Sequence, residues 1–349
     1  LETCHRHGLR VMPYLTFTDM EFGASGFDEM DRLGRIEPVS EFNYRSHLMC
    51  YAAEAWQARW REEVARACER FAFDGLYIDF WAGRLACRNA RHGCTGPYGR
   101  FTAAGLRQMA RCARTILHSQ RPEGLILANT NILPLAMINN WFDARLYGEW
   151  HNLEETDPAF LRAFYNSRRL GTGSVLLVSR VPKITGRTIA LAEVFQGTPV
   201  LTHARTPAER AVLDEHARLR AAFGVSEAVG WNHFELQEPM AGVLPAEVRL
   251  SAFYHPGRRE VLLALSQAAG PEVSVCLGSL LARLDEAVLR PAGFSLPERR
   301  TVRQGRGAGA VLSGAPPTAA GGDEPVTAEV LVSADDVHYV WIRADAPGA

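Results

Sequence analysis

Lysine is almost absent from this sequence of 349 residues, in which Lys183 is the single example. The 38 basic residues are therefore nearly all arginines, and 39 acidic residues balance them to a net charge of −1. The arginines are scattered and form no cluster that would attract the phosphates of a nucleic acid or of an anionic membrane. We expect neither of these as a partner.

Long apolar runs are missing as well. No stretch of 18 apolar residues occurs, which excludes an ordinary membrane-spanning helix. The chain opens on Leu1-Glu2-Thr3-Cys4, without an initiator methionine or a signal peptide. We expect that it begins inside a helix and that its true N-terminus is missing. The compartment and the oligomeric state therefore stay open.

Short apolar runs alternate with amphipathic helical stretches over the first two thirds of the chain. Helical spacing of Trp56, Trp60, Val64 and Ala67 or Cys68 predicts one helix, and a second follows from Ala103 to Leu117. Further helix starts are predicted at Asp157-Pro158 and at Thr206-Pro207-Ala208-Glu209, a capping-box sequence whose helix should stop at Gly224. The predicted strands are Val11–Phe17, Asp74–Phe80, Leu125–Asn129, Ala144–Trp150, Ser174–Ser179 and Pro199–His203.

This alternation predicts a parallel sheet with helical crossovers. Six strands suit a (β/α)8 TIM barrel that lacks its first two units, and residues 1–230 are assigned to it. The second interpretation is a doubly wound open sheet. It is weakened because no Gly-rich phosphate loop follows any of the strands.

The pattern changes after about Gly230. Val248–Tyr254 and Glu260–Leu265 predict a β-hairpin, and Val273–Leu277, Thr327–Leu331 and Val337–Ile342 predict further strands with no helices between them. Residues 304–325, rich in Gly, Ala and Pro, should form a mobile loop or insertion. We therefore assign residues 231–349 to a small all-β sandwich domain.

Polar residues at the ends of the apolar runs are the candidates for chemistry, because the carboxyl ends of barrel strands carry the active site. Asp79 and Glu149 stand out, since each ends an apolar strand beside aromatic residues. Aromatic rings stack on sugars, and carboxylates supply acid, base or nucleophile. The predicted substrate-binding residues are Tyr14, Asp19, Trp81, Asn129, Tyr147, Trp150, His151 and His203.

Each of these assignments has an alternative. Either acid could instead form a structural ion pair with a barrel arginine, for example Arg145. His203 could bind a sugar hydroxyl or only satisfy a loop carbonyl, and Asp74, before Gly75, is expected to be a turn residue. A Ser–His–Asp hydrolase is not supported, because the sequence has no G-x-S-x-G elbow.

The seven cysteines are an odd number without a C-x-x-C pair, which argues against a disulfide framework. Cys87, His92 and Cys94 lie close in sequence, but a tetrahedral zinc site needs a fourth ligand. We predict that these residues hold no structural metal, that the two cysteines form a disulfide or remain free thiols, and that no cofactor is needed. Cys50 is expected to be a buried thiol near the end of a barrel strand.

Several of these segments together resemble a known group of barrels. They are Met49-Cys50 to Trp56, Phe73–Asp79, the Cys87, Asn89 and His92-Gly93-Cys94 loop, and Leu146–Glu149. Their order resembles the bacterial barrels grouped with the catalytic domain of glycoside hydrolase family 123, over roughly residues 8–230. The resemblance implies a glycosidase barrel followed by a β-domain.

One departure from that family limits what the resemblance implies. Its β-N-acetylgalactosaminidases use the substrate acetamido group and an adjacent Asp-Glu pair at a strand end. The Asp-Glu pairs here, at residues 28–29, 214–215, 285–286 and 323–324, do not follow apolar strands. The barrel type therefore carries over, and the substrate-assisted mechanism does not.

The sequence as a whole predicts a glycoside hydrolase acting on a glycan. Asp79 would be the nucleophile or electrostatic stabiliser, and Glu149 the general acid/base, by analogy with the fourth and sixth strands of α-galactosidase-like barrels. Trp81, Tyr147 and Trp150 would be sugar platforms. The alternatives are a hexosaminidase whose acids serve the acetamido group, and a non-catalytic glycan-binding barrel or pseudoenzyme. The sugar, the linkage and the stereochemical outcome stay open.

Overall fold

The structure is a computed structural model of the chain. The residues that it describes are 1–38, 41–42, 45–79, 86–95, 97–129, 138, 140–147, 173–177, 184, 186, 188–190, 194, 200–201, 204–267, 270–296, 300–306, 329–333 and 336–344. The chain divides into two compact units, the first comprising Leu1–Glu149 with Ala163–Val175 and the second Trp150–Arg162 with Leu176–Ala349. The predicted domain boundary after residue 230 stays a prediction.

The elements are numbered in chain order. The strands are β1 (Tyr14–Thr16), β2 (Asp19–Glu21), β3 (Glu41–Phe42), β4 (Ser46–Leu48), β5 (Gly75–Asp79), β6 (Ala86–Cys87), β7 (Arg100–Phe101), β8 (Leu125–Asn129), β9 (Ala144–Tyr147), β10 (Gly173–Leu177), β11 (Val200–Leu201), β12 (Val229–Trp231), β13 (Val248–His255), β14 (Glu260–Gln267), β15 (Val273–Cys276), β16 (Arg300–Arg306), β17 (Glu329–Val332) and β18 (His338–Ala344). The helices are α1 (Glu2–Arg6), α2 (Phe27–Gly34), α3 (Glu54–Arg70), α4 (Ala103–Gln120), α5 (Pro207–Phe223), α6 (His233–Leu236) and α7 (Leu277–Leu284).

The first unit contains a parallel sheet in the strand order β1-β5-β8-β9-β10. β1 pairs with β5, β5 with β8, and β8 with β9, each in parallel. β10 continues into the second unit, where its last two residues pair in parallel with β11. Sequence order and spatial order agree, as a succession of strand–helix–strand units requires. The predicted parallel sheet is confirmed for β1, β5, β8 and β9, and for the pairing of β10 with β11.

Helices α3 and α4 cover this sheet with the apolar faces that their spacing predicts. Trp56, Trp60, Val64 and Cys68 are the buried residues of α3. The indole nitrogens of Trp56 and Trp60 also donate to the backbone oxygens of Phe17 and Thr16, at 3.0 and 2.9 Å. The two tryptophans therefore fill the core and fix the carboxyl end of β1. Among the described residues, no helix has both the length and the apolar character that a membrane span requires.

An excursion of the chain separates β1 from α3, and the sequence patterns do not predict it. Helix α2 and a small antiparallel sheet in the order β2-β4-β3 lie within it. Cys50 follows β4 and is fully buried. The expectation of a buried thiol is confirmed, but its expected place near the end of a barrel strand is wrong. The preceding strand pairs antiparallel with β2 and β3 and is not part of the parallel sheet.

The second unit contains a five-stranded antiparallel sheet in the order β12-β13-β14-β18-β16 and a two-stranded sheet of β15 and β17. The predicted hairpin is confirmed, since β13 and β14 pair from Val248–Gln267 to His255–Glu260. The expectation of strands without helices is wrong. Directly after β15 comes α7, and Asp285–Leu289 extends it as a π-helical turn. Leu277, Leu280, Leu281 and Leu284 give α7 its buried face at helical spacing.

Helix α5 begins and ends where the sequence predicts. The Thr206 side chain accepts from the backbone N–H of Glu209, whose carboxylate accepts in return from the N–H of Thr206. Gly224 ends the helix in the left-handed conformation at φ 74°. Of the segment expected to be mobile, residues 304–306 belong to β16 and the others lie outside the described residues. The predicted helix at Asp157-Pro158 also lies outside them.

Candidate functional site

The carboxyl ends of three parallel strands are aligned in one row. The register pairs Thr16 of β1 with Asp79 of β5, and Asp79 with Asn129 of β8. Asn129 pairs in turn with Leu146 of β9. The strand ends at which the sequence predicts site residues therefore lie side by side. They lie at the edge of the sheet where parallel α/β barrels carry their active sites.

Asp79 faces the side of the sheet opposite to the helix-covered core. Leu76 and Ile78 are fully buried, and they alternate with Tyr77 and Asp79, which are half-buried. Because side chains alternate along a strand, Tyr77 and Asp79 share one face. The ring of Tyr14, which pairs with Tyr77, lies edge-on to the Tyr77 ring at 5.4 Å between centroids. Two tyrosines and a carboxylate thus line this face near the sheet edge.

Tyr14 holds the carboxylate of Asp79 directly. Its hydroxyl donates to Oδ2 of Asp79 at 2.5 Å. Burial of the hydroxyl, followed by the hydrogen bond and the charge of Asp79, raises the pKa of Tyr14. Tyr14 therefore stays protonated and remains a hydrogen-bond donor to Asp79 at neutral pH. A donor in this position favours the ionised form of the carboxyl group.

Asp19 lies just beyond the end of β1, close to Tyr14 and Asp79. The Thr16 hydroxyl donates to Oδ1 of Asp19 at 2.9 Å. Burial raises the pKa of Tyr51, and the negative charges of Asp19 and Asp79 raise it further. The charge of Asp19 also contributes to the raised pKa of Tyr14. The structure thus brings the predicted Tyr14, Asp19 and Asp79 into one neighbourhood and adds Tyr51, which sequence analysis did not identify.

Asn129 and Arg145 are both almost fully buried, at 2% and 1% exposure, but on different faces of the sheet. Arg145 pairs with Ala128, whereas Asn129 pairs with Leu146. The pleat therefore places Arg145 on the face opposite to Asn129 and Asp79. This register speaks against the ion pair between Asp79 and Arg145 that the sequence leaves open as an alternative.

Asp74 marks the other end of β5 and has a structural role. Its Oδ2 accepts from the backbone N–H of Val11 at 2.7 Å and lies 2.9 Å from Nε2 of His5. The hydrogen bond from Val11, followed by that from His5, lowers the pKa of Asp74. Asp74 therefore ties the segment before β1 to the start of β5, away from the carboxyl ends of the strands.

The structure does not describe the side chains of several predicted site residues. Tyr147 ends β9, but its side chain is not among those described. The predicted site residues outside the described part of the chain are Trp81, Glu149, Trp150, His151 and His203. Their roles stay predictions.

A second group of reactive side chains lies in the first unit and comprises Cys50, Cys87, His92 and Cys94. One ligand atom from each lies within 4.8 Å of all the others. All seven cysteines of the chain lie in its described part and are free thiols. The hydrogen bond with Cys50 lowers the pKa of the Cys87 thiol against the opposing effect of burial, and the hydrogen bond with His92 lowers it further.

Cys50 is a potential metal ligand that sequence spacing does not reveal. The prediction of no structural metal considers only the three potential ligands of the Cys87–Cys94 loop, and it stays a prediction. The structure brings a fourth potential ligand to that loop from a segment 37 positions earlier in the chain than Cys87. The only sequence signal for it was the place of Met49-Cys50 in the family resemblance.

Comparisons with known proteins bear on the fold. No family model matches this chain, and no curated protein matches it. Among solved structures, the galactosidase domain of the α-galactosidase–sucrose kinase AgaSK is similar, with a TM-score of 0.58 at 10% identity over 97% of this chain and 44% of that one. A GH36 α-galactosidase from Geobacillus stearothermophilus gives 0.57 at 12% identity, over 98% of this chain and 46% of that one.

An α-amylase from Geobacillus thermoleovorans is also similar, with a TM-score of 0.58 at 9% identity over 99% of this chain and 80% of that one. The chain spans less than half the length of the two α-galactosidase structures. At these identities the likeness concerns the fold alone. The chain has a mixed α/β fold with a parallel sheet, similar to the TIM-barrel folds of glycoside hydrolases.

Proposed function

We propose that this protein is a glycoside hydrolase that cleaves glycosidic bonds in a glycan with Asp79 at its catalytic centre. The observation that carries the proposal is the position of Asp79. It stands at the carboxyl end of a parallel strand, between the ends of β1 and β8, with its Oδ2 held by the Tyr14 hydroxyl. The likeness to glycoside hydrolase barrels supports the same reaction class through the fold alone.

Asp79 would act as the nucleophile or as the electrostatic stabiliser of the oxocarbenium-like transition state. Both roles need an ionised and oriented carboxylate. Tyr14 supports the first requirement, because a hydroxyl that donates to Oδ2 favours the charged form of the group. Such a donor also restricts the rotation of the carboxylate, which preserves its alignment with the sugar.

Glu149 would act as the general acid/base. It follows β9, which is the second neighbour of β5 in the sheet order β5-β8-β9. Neighbouring strands lie about 4.8 Å apart, so these two strands are separated by roughly 10 Å. Catalytic carboxyl pairs are about 5–5.5 Å apart in retaining enzymes and about 6.5–9.5 Å apart in inverting ones. Side chains from strand ends at this spacing can meet either requirement, provided that the chain after Tyr147, the last residue of β9, turns Glu149 toward the face of Asp79.

The substrate would be held by polar and aromatic residues around Asp79. Asp19 and Asn129 would bind sugar hydroxyls, because Asp19 lies just beyond the end of β1 and Asn129 ends β8, the strands on either side of β5. Tyr14 offers an exposed ring, and Trp81 would add a stacking surface. Tyr147 shares the face of Arg145 in β9, so its predicted role as a sugar platform beside Asp79 is not part of this proposal. A barrel of the type grouped with glycoside hydrolase family 123, completed to eight strands and followed by a C-terminal β-sandwich, remains part of this proposal.

The test is a screen of aryl glycosides and natural glycans with the full-length protein, scored by release of the phenol or of reducing sugar. We expect turnover of at least one glycoside, with a rate that Asp79→Asn removes. Glycan binding by calorimetry without turnover would contradict hydrolysis and indicate a non-catalytic glycan-binding barrel. If the protein neither binds nor hydrolyses any glycan in the screen, the assignment to carbohydrate substrates is wrong.

A further inference from the structure

The Cys50, Cys87, His92 and Cys94 side chains form a second site that the proposed reaction does not use. We propose that these four residues bind one Zn²⁺ in a closed, structural Cys3His site. The inference is independent of the proposed glycosidase function, because it depends on a different set of side chains.

Distances within the cluster suit a tetrahedral metal. With Zn–S bonds of about 2.3 Å and Zn–N bonds of about 2.0–2.1 Å, tetrahedral ligand atoms lie roughly 3.5–3.8 Å apart. The Sγ atoms of Cys50 and Cys94 are 3.8 Å apart, and Sγ of Cys87 lies 3.3 Å from Nε2 of His92. No pair of the four atoms exceeds 4.8 Å. A zinc ion at the centre therefore requires shifts of only a few tenths of an ångström to about 1 Å.

The donor set selects zinc among the common metals. Calcium and magnesium prefer oxygen ligands, whereas three thiolates and one imidazole match the Cys3His sets of structural zinc sites. Zinc has no redox chemistry of its own and imposes tetrahedral geometry without the planar preference of Cu(II) or Ni(II). The ligand chemistry and the spacing thus indicate the same ion.

Neighbouring backbone groups orient the ligands for this role. Nδ1 of His92 lies 3.0 Å from the backbone oxygen of Leu33, so a proton on Nδ1 leaves Nε2 facing the cysteine sulfurs. The backbone N–H of Asn89 donates to Sγ of Cys87 at 3.4 Å, an interaction that stabilises a thiolate. Metal-ligating histidines usually donate their second nitrogen to such a partner, which fixes the tautomer and the ring orientation.

The loop that carries three of the ligands is itself built around Asn89. Its buried side chain donates from Nδ2 to the backbone oxygen of Arg35 at 2.8 Å and accepts from the N–H of Arg91 at 3.0 Å. The N–H of Arg88 also donates to the backbone oxygen of Glu37 at 2.9 Å. These bonds preform the site by fixing the loop against the segment that follows α2.

The site is closed, which indicates a structural and not a catalytic ion. Cys50, Cys87 and Cys94 are all fully buried. Four protein ligands fill a tetrahedral zinc, whereas catalytic zinc keeps one position for water or substrate. The ion would join the end of the excursion before α3 to the loop that follows β5, and Asp79 is the last residue of β5. We therefore expect the metal to stabilise the loop beyond the proposed catalytic residue.

A disulfide is the main competing arrangement for these cysteines. Its sulfur atoms would have to approach to about 2.05 Å, well inside the 3.8 Å that separates Cys50 from Cys94. One disulfide would also use two sulfurs and leave the third beside His92 without a metal. The two arrangements differ in metal content and in thiol count, so one preparation distinguishes them.

The experiment measures zinc in the purified full-length chain by elemental analysis, with free thiols counted on the same sample after denaturation. We expect about one zinc per chain and seven reactive thiols, the number of cysteines in the sequence. Cys50→Ser and Cys87→Ser should each lose most of the zinc. Cys68→Ser is the matched control, because Cys68 is also buried but belongs to α3 and not to the cluster. It should retain the zinc.

Cobalt substitution of the wild-type chain keeps the test decisive if the serine variants do not fold. Tetrahedral Co²⁺ with thiolate ligands should give strong visible d–d bands and thiolate-to-cobalt charge-transfer bands that added zinc abolishes. A preparation with no zinc and no such cobalt spectrum would overturn the proposal. So would a disulfide between two of the three cysteines in the native protein, or full zinc retention in a folded Cys50→Ser variant.

Discussion

The Tyr14 hydroxyl donates to Oδ2 of Asp79 at 2.5 Å, across two neighbouring parallel strands. This bond connects the first residue of β1 to the last residue of β5. The same bond orients the Asp79 carboxylate and favours its ionised form. Both properties can be tested by removing one oxygen atom.

Tyr14→Phe should therefore shift the acid limb of the pH profile. A hydrogen bond to a charged group contributes about 1.5–3 kcal/mol, but 61% of Tyr14 is exposed, so solvent screening reduces its effect here. Without the donor the ionised form of Asp79 is less favoured, and the acidic limb of kcat/KM should move to higher pH. The rate then falls earlier as the pH decreases. An unchanged acid limb would show that Tyr14 does not act through Asp79.

Glu149→Gln should slow hydrolysis in a way that depends on the leaving group. General acid catalysis contributes about 10²–10⁴-fold, so natural glycans should lose about a hundredfold or more in rate. Aryl glycosides of strongly acidic phenols should lose much less, because such leaving groups need little protonation. Equal losses on both substrates would argue against a general acid.

The control for this variant is Asp143→Asn, which changes a carboxylate just before β9. Asp143 accepts from the N–H of Ile126 at 2.8 Å and pairs with Arg114 at 3.0 Å, at the opposite end of the strand from Glu149. Its loss should lower the melting temperature and leave the leaving-group dependence unchanged.

Gly105→Ala should destabilise the protein, contrary to its effect in an ordinary helix. Alanine is favoured over glycine by about 1 kcal/mol in a helix interior. A Cβ at residue 105, however, would lie 1.9 Å from the backbone oxygen of Tyr51. Overpacking of this kind typically costs about 1–3 kcal/mol, and the contact with a backbone atom favours the upper end. We expect a net loss of about 1–2 kcal/mol in the free energy of unfolding; a more stable variant would show that α4 lies farther from Tyr51.

Glu209→Gln should destabilise the protein in a pH-dependent manner. Hydrogen bonds from the N–H groups of Ile184, Arg205 and Thr206 lower the pKa of Glu209 below its ordinary value of 4.5. The stabilisation from a lowered pKa is present above the unfolded value and is lost as the pH falls through the folded value. The difference in unfolding free energy between the two proteins should therefore be largest at neutral pH and shrink below about pH 4.5.

Glu215→Gln provides a contrast on the same helix. Burial raises the pKa of Glu215, so its ionised form costs stability above that pKa. The amide should stabilise the protein at neutral pH, with a gain that disappears in acid. Chemical denaturation at several pH values measures both variants, and the same pH dependence in both would contradict the opposite pKa shifts.

The elements that local patterns specify could be predicted from the sequence. Trp56, Trp60 and Val64 repeat at helical spacing, and Thr206 with Glu209 forms a capping box before a helix that Gly224 ends. Asp79 could be placed at a strand end because an acid follows the apolar residues Leu76 and Ile78. Each of these signals depends on residues within one element.

Features that depend on convergence in space could not be predicted. Cys50 meets Cys87 only because the excursion between β1 and α3 folds back on the loop after β5, and no spacing rule encodes that return. The face occupied by Arg145 depends on its register with Ala128, which a shift of one residue would reverse. Helix α7 is a different case, because the spacing of Leu277, Leu281 and Leu284 indicates a helix within a region otherwise rich in strands.

The central claim concerns Asp79, and a pair of variants on one strand tests it most directly. Asp79→Asn keeps the shape of the side chain and an oxygen that can accept the hydrogen bond from the Tyr14 hydroxyl, but it removes the negative charge. Asp74→Asn makes the same change at the other end of β5, where the carboxylate accepts from the N–H of Val11. The measurement is the rate constant of each variant on a glycoside found by the screen, alongside a melting curve.

We predict that Asp79→Asn lowers the rate about a hundredfold or more without a matching loss of folded protein, as expected when nucleophilic or electrostatic assistance is removed. Asp74→Asn should keep a rate near that of the wild type, whatever its effect on the melting temperature. Near-normal turnover by a folded Asp79→Asn variant would contradict the account.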